Sequence, residues 1–292
     1  MKTAIISTMG VSMEKSVNPI FICAAGLKKM MIVVEHGSMC KLITIAGQKG
    51  GNGRSVTAVN LAASLALIEK RTLLVDCDPR ACSTLFAGFD TSTLACDLSS
   101  VLFGKVAPSD AVLTTRLRFM DILPASFNLF HAASRLSMNA GNERILRIFL
   151  RELRAEYEYM IIDSPASYSF LTVAAMAASD WLVVPFQCTS GNIVDFTSLL
   201  RMVRHVRSNF QERLKIAGLL FNQCSSREEI DRFLAGSDLN GVEDIVYKSF
   251  VPRDDAIMAA GEEGKPVALH DVESPGARAY LDVAKEVISS FN

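Results

Sequence analysis

Between an apolar run at residues 42–46 and an Ala- and Leu-rich segment at 56–69 lies Gly47-Gln48-Lys49-Gly50-Gly51-Asn52-Gly53-Arg54-Ser55. This loop restricts the possible folds more than any other stretch of the chain. Its glycines allow backbone conformations that turn successive amides inward, and a helix starting at once places a positive terminus behind them. Such a loop cradles a phosphate chain. It meets the pattern G-x-x-x-x-G-[KR]-[ST] with Gly47, Gly53, Arg54 and Ser55, and the strand–loop–helix setting is the one that pattern requires. Ser55 is the position whose hydroxyl is expected on Mg²⁺.

The rest of the chain repeats the same alternation. Apolar, strand-like runs occur at 42–46, 72–76, 119–123, 159–162, 181–185, 216–221 and 246–251. Helical spacing joins most of them: 143–157 sets Leu146, Phe149, Leu150 and Leu153 opposite its arginines, 193–210 repeats Ile193, Phe196, Leu200, Val203 and Val206, and 277–291 carries a stripe through Tyr280, Leu281, Ala284, Val287, Ile288 and Phe291. Strand alternating with helix predicts an α/β fold: a doubly wound, mostly parallel sheet with helices on both faces. Half the residues are apolar, which buried parallel strands explain, since they read as unbroken hydrophobic runs. No run reaches the roughly 18 consecutive apolar residues of a membrane span. One domain is expected at 39–292. Residues 1–38 have no clear period and contain repeated methionines; a flexible extension or a start codon set too far upstream is expected there, with a targeting or partner-binding arm as the alternative.

The net charge is −1, so any polyanion-binding surface must come from local clustering. The seven cysteines include no C-x-x-C pair, which argues against a zinc site or a disulfide framework and for a reducing, cytoplasmic setting. Cys77, Cys188 and Cys224 sit in or beside strand-like runs and read as small buried hydrophobes.

Acidic positions accompany the loop. The run at 72–76 ends in Asp76-Cys77-Asp78-Pro79, with carboxylates two residues apart and so on one side of an extended chain. The run at 159–162 leads into Asp163, an apolar strand whose terminal carboxylate can hold Mg²⁺ or its water. Taken singly, an aspartate after a strand is as often a helix cap; three such elements in this order favour a nucleotide site.

From about Met39 onward the chain resembles the ParA/MinD family of deviant Walker A ATPases, and within it the partitioning ParA (Soj) branch. The matching stretches are 47–55 with 59–66 behind it, 74–79, 159–164, 180–188, 251–253, 264–266 and 276–281. The resemblance implies ATP and Mg²⁺ as ligands and an ATP-dependent homodimer. Lys49 would be the signature lysine that reaches the partner's phosphates. Gly50, Gly51, Asn52, Gly53, Arg54, Ser55 and Val56 would surround the nucleotide phosphates. Asn222, Pro252 and Arg253 match the region that holds the base. Ser55, Asp78 and Asp163 would serve the metal, and Asp78, with Lys49, the catalytic step by orienting the attacking water or the metal shell.

Three positions depart from the family pattern. Arg54 replaces the loop lysine, exchanging a compact ammonium for a planar fork. Arg80 stands where glutamine is common, and Ala166 replaces one proline after Asp163. Slow ATP hydrolysis is therefore expected.

The function this implies is a partition or positioning ATPase, cytoplasmic and nucleoid-associated, that binds double-stranded DNA nonspecifically and answers to a ParB-like activator. Arg201, Arg204, His205 and Ser208 fall on one helical face with Arg207 near, and Arg213, Lys215, Arg227 and Arg232 follow. The DNA candidates are Arg201, Arg204, Arg207 and Arg227, with a plain solvated helix face as the other reading. The alternatives are a nucleotide-binding switch scaffold with little turnover, or a membrane-positioning ATPase like MinD. Against the latter, Asp282 and Glu286 offset Arg278 and Lys285 on the last helix, and no membrane partner is expected. The motifs at 76–79 and 251–253 point away from amide-forming synthetases that share the loop, and the cysteine positions away from iron–sulfur relatives.

Overall fold

Side-chain alternation along each strand sorts the core onto two faces of one sheet. The computed structural model describes residues 40–47, 50–189, 191–237, 239 and 241–291. Residues 1–38 and Lys49 lie outside the described residues. The strands are β1 (Lys41–Ile45), β2 (Thr72–Asp76), β3 (Leu113–Thr114), β4 (Met120–Leu123), β5 (Tyr159–Asp163), β6 (Trp181–Phe186), β7 (Lys215–Cys224) and β8 (Val251–Pro252). Their order is β3-β4-β2-β5-β1-β6-β7-β8. Every pairing is parallel except β3 with β4.

On one face Ile43, Ile45, Leu74, Ile161, Val183 and Leu220 pack under helices Arg54–Leu67 and Pro275–Ser289. On the other face Leu42, Leu73, Val75, Met160 and Ile162 meet helices Ile145–Leu153 and Phe170–Ala178. Farther along that face, Leu182, Val184, Leu219 and Phe221 meet helix Gly191–Asn209. Period-2 strands covered on both sides leave nothing for solvent, which is why β5 is buried from end to end. The stripe of the last helix goes into the core through Ala277, Tyr280, Val283, Ala284 and Val287. Phe291 then closes the lower edge, its ring 4.7 Å from that of Trp181.

Two expected elements take different forms. The segment expected as one helix over 143–157 opens with the 3-10 turn Asn142–Arg144 and is α-helical only over Ile145–Leu153. The strand expected at 246–251 breaks up. Val246 makes one bridge to Leu219, and pairing resumes only at Val251–Pro252. The amides between are already engaged: Lys248 N–H and Ser249 N–H donate to the Glu286 carboxylate at 2.7 and 2.9 Å. A side chain from the last helix has replaced the strand partner, and Pro252 itself has no N–H to donate.

The bend also places the buried Tyr247 ring against β7, where Gly218 leaves it room. A Cβ on Gly218 would stand 2.5 Å from the ring. Gly218→Ala is therefore expected to destabilise the fold by about 1–3 kcal/mol through overpacking, read as a lower urea midpoint. An unchanged midpoint would show that the ring can move aside without loss.

Candidate functional site

The parallel register decides which strand ends meet. Ile45 pairs with Asp163, and Asp163 pairs with Asp76, so the loop after β1 and both carboxylates stand side by side at the carboxyl edge of the sheet. The chain passes from β1 to β2 on one side and from β5 to β6 on the other. Open α/β sheets bind their ligands at such a switch point.

In the loop, Gly51 and Gly53 have φ of +85° and +79°, values that L side chains rarely adopt. Gly53 has a second reason to lack a Cβ, which would meet the Asn222 Nδ2 atom at 2.9 Å. The helix Arg54–Leu67 starts from Gly53 with no side-chain cap and no acidic residue in its first turn. An uncapped first turn presents its amides and positive end to an incoming anion.

Arg54 is buried at 5% exposure. Its Nε donates to the Ser164 carbonyl at 3.2 Å and its Nη1 to the Gly47 carbonyl at 3.1 Å. The guanidinium thus ties the start of the loop to the turn after β5. Burial lowers its pKa, while Asp163 and Asp78 oppose that fall. Ser55 and Val56, on the same first turn, are half-buried, and Gly50 and Gly51 are exposed.

The two paired aspartates have different tasks. Asp76 is fully buried, and its oxygens accept from Thr84 N–H and Oγ1, both at 2.8 Å, and from Asp78 N–H at 3.1 Å. It builds the turn. Asp163 accepts from Ser83 Oγ at 2.7 Å through Oδ2, whereas its Oδ1 is buried with no hydrogen-bond partner among the described residues. Burial raises the pKa of both carboxyls. The charge of Asp163 adds to the rise at Asp76, while the Ser55 and Ser83 hydroxyls and Arg54 restrain it at Asp163.

A buried carboxylate oxygen without a donor, near a serine hydroxyl, matches the hard-oxygen coordination of Mg²⁺. Asp78 lies past the end of β2 at Asp76, at the head of a turn closed by Ala81 N–H to the Asp78 carbonyl at 2.8 Å. Its carboxylate is held by Arg80, with Nη2 to Oδ2 at 2.8 Å.

At the opposite end of the loop, Asn222 on β7 is 4% exposed. Its Nδ2 donates to the Asn52 carbonyl and to Thr57 Oγ1, both at 3.2 Å, and Thr57 in turn meets Tyr280 Oη at 3.3 Å. A carbonyl can only accept, so the amide is oriented and its Oδ1 remains a buried acceptor without a donor among the described residues. That oxygen suits an exocyclic amine such as adenine carries. Asn222 pairs with Val251 and Cys224 with Pro252, so Pro252 is brought to the same edge. Arg253 is exposed there and donates from Nε to the Gln223 carbonyl at 3.1 Å.

Four residues to which the sequence assigned no role at this site help hold it: Ser83, Ser164, Thr57 and Tyr280. Ser164 and Tyr280 lie in stretches that match the family and Ser83 and Thr57 in none, and only their partners reveal the roles. Ala166 is half-buried in a turn fastened by Ser164 Oγ to the Ile45 carbonyl and by Thr172 Oγ1 to the Ser167 carbonyl, at 2.8 and 2.7 Å.

The basic candidates separate. Arg201, Arg204 and Arg207 are exposed along helix Gly191–Asn209. Arg227 is engaged elsewhere, with Nε to Asp231 at 3.0 Å and Nη1 to the Tyr247 carbonyl at 3.2 Å. Cys77 and Cys224 are buried as expected, and Cys188, half-buried, lies with its sulfur 3.5 Å from that of Cys224.

Comparison with known proteins bears on the whole of this arrangement. The family described as AAA domain matches residues 40–216. The sporulation initiation inhibitor protein Soj of Bacillus subtilis is 35% identical over 252 residues, which cover 86% of this chain and 100% of that protein. The chromosome partitioning protein ParA of Caulobacter vibrioides is 35% identical, over 85% of this chain and 94% of its own. Among solved structures, a cobyrinic acid a,c-diamide synthase from Mycobacterium smegmatis with bound ADP and magnesium superposes with a TM-score of 0.75 at 30% identity, covering 87% of this chain and 96% of that one. Motif order, sheet topology and identity across nearly the full length of the partitioning relatives agree, and the chain belongs to the ParA/MinD family of P-loop ATPases, on its ParA and Soj side.

Proposed function

We propose that this protein is a ParA-type ATPase that binds ATP with Mg²⁺, dimerises on ATP, holds DNA nonspecifically and positions DNA or another cargo with a ParB-like activator. The observation that carries the reading is Asp163: a fully buried carboxylate with one oxygen unpartnered among the described residues, beside the first turn of an uncapped glycine-loop helix. The relatives named for chromosome partitioning support DNA as the cargo.

In this reading Ser55 and Asp163 hold the metal, which supplies charge neutralisation along the phosphates. Gly50 to Val56 supply amides, Asn222 orients the base, and Pro252 and Arg253 border it. Asp78 orients the water, and Lys49 of each protomer reaches the other's phosphates. Phosphoryl transfer asks chiefly for such positioning. Arg201, Arg204 and Arg207 neutralise DNA phosphates; Arg227, with its carboxylate partner, contributes less. The domain is proposed to span 39–292, with 1–38 as an extension.

A second reading, a nucleotide switch with little turnover, draws on Arg54, whose fork is engaged by one carbonyl of the loop and one of the turn after β5. A MinD-like membrane role is not favoured. The apolar stripe of helix Pro275–Ser289 is spent on the core, and among the described residues no helix is long and apolar enough to cross a membrane.

Three measurements test the reading. In a steady-state ATPase assay Arg54→Lys is expected to raise turnover about tenfold, the equivalent of 1.4 kcal/mol off the barrier; no rise removes Arg54 as the cause of slow hydrolysis. Gel shifts with ATP at two salt concentrations should show binding that weakens with salt, and Arg201→Ala should reduce the log–log slope by about 1. Binding indifferent to both nucleotide and salt would sink the DNA assignment. Because burial raises the Asp163 pKa and metal requires the carboxylate, Mg²⁺-dependent nucleotide affinity should be weaker near about pH 6 than near about pH 8. Equal affinities would remove Asp163 from the metal site.

A further inference from the structure

Arg80 has no task in the reading above, yet it covers the residue assigned to orient water. Its Nη2 donates to Asp78 Oδ2 at 2.8 Å, its Nε lies 3.3 Å from each carboxylate oxygen, and its backbone N–H donates to Oδ1 at 2.9 Å. The Asp78 side chain is 4% exposed and that of Arg80 58%. A fork laid on a carboxylate is the strong, directional form of this pair. The arginine end of the pair faces water, so its own release costs little, whereas the buried Asp78 carboxylate resists losing its cation and keeps only the Arg80 backbone N–H on Oδ1. The guanidinium therefore leaves only for a stronger acceptor, which suits a latch better than a strut.

The surrounding contacts indicate where the released fork would go. Arg80 lies on the turn that leads into Ser83, whose Oγ donates to Asp163 Oδ2 at 2.7 Å and lies 3.5 Å from the Ser55 carbonyl, so this turn borders the first turn of the loop helix. A polyanion seated on that turn would compete with Asp78 for the guanidinium. A terminal phosphate is the stronger competitor, with more charge and more acceptor oxygens than a carboxylate. A diphosphate ends one phosphate earlier and offers less.

Resting on the nucleotide site proposed above, we infer that Arg80 senses the terminal phosphate of a bound nucleoside triphosphate, exchanging Asp78 for it. The exchange frees the Asp78 carboxylate to face water in the triphosphate state. Loss of the terminal phosphate returns the fork to Asp78. Hydrolytic competence is thereby coupled to the ligand through the residue two positions after Asp78.

Equilibrium calorimetry with Mg²⁺ and either ADP or the β,γ-imido analogue of ATP tests this without turnover. Arg80→Gln is expected to weaken the triphosphate analogue about tenfold, the size of one charge-assisted contact, and to leave ADP unchanged. Arg80→Lys, which keeps charge but loses the fork, should fall between. Asp78→Asn should tighten the triphosphate analogue, and that tightening should vanish in the Arg80→Gln background. Equal effects on both nucleotides, no effect on either, or tightening that persists without Arg80 each overturn the proposal. If the unaltered protein binds neither nucleotide, the nucleotide site itself is refuted; if it binds both and ignores Arg80, only the latch is.

Discussion

Two carboxylates buried side by side at the ends of β2 and β5 set the conditions for everything around them. The parallel register makes Asp76 and Asp163 neighbours, and both are wholly out of water. Burying a charge is costly unless it is paired or hydrogen-bonded, so each must be provided for. Asp76 is provided for by the protein: Thr84 and the Asp78 amide take up its oxygens. Asp163 is provided for only in part: one of its oxygens has no partner among the described residues, and the proposed cation site rests on it. The Arg54 guanidinium nearby offsets some of the negative charge and fastens the loop to the turn that follows Asp163.

A second constraint comes from the last helix, which does more than close the core. Tyr280 reaches Thr57 in the loop helix, Thr57 and the Asn52 carbonyl orient Asn222, and Glu286 takes the amides that would otherwise continue a strand. The edge proposed to hold the base is therefore assembled from the beginning, middle and end of the domain. Gly53 belongs to this assembly as much as to the phosphate loop, because any Cβ there would push into the Asn222 amide.

Two arginines distinguish this chain within its family pattern, and they act at opposite ends of one electrostatic cluster. Arg54 is buried and committed to two carbonyls, while Arg80 is largely exposed and committed to one carboxylate. A buried, bonded cation is a fixed part of the scaffold. An exposed one can leave its buried carboxylate when a stronger acceptor compensates. The difference in burial, more than the difference in sequence position, separates a residue that shapes the site from one that can respond to its contents.

The sequence by itself determined the doubly wound sheet, the glycine loop and Asp163 at the end of an apolar strand, because each is a local pattern. Apolar runs bury, glycines permit positive φ, and an Ala- and Leu-rich segment continues as helix. It also marked Arg54 and Arg80 as departures from the family pattern, since a changed residue in a motif is visible without a structure. Only the tertiary structure decided that both oxygens of Asp76 are hydrogen-bonded while one oxygen of Asp163 has no partner among the described residues, that Asp78 is paired with Arg80, and that Arg227 is already engaged. It alone broke the strand expected at 246–251 by giving those amides to Glu286. The physical reason is common to all of these cases. A polar group's role depends on which partner satisfies it, and partners such as Ser83, Thr57, Tyr280 and Glu286 come from distant parts of the chain, where spacing gives no sign of them.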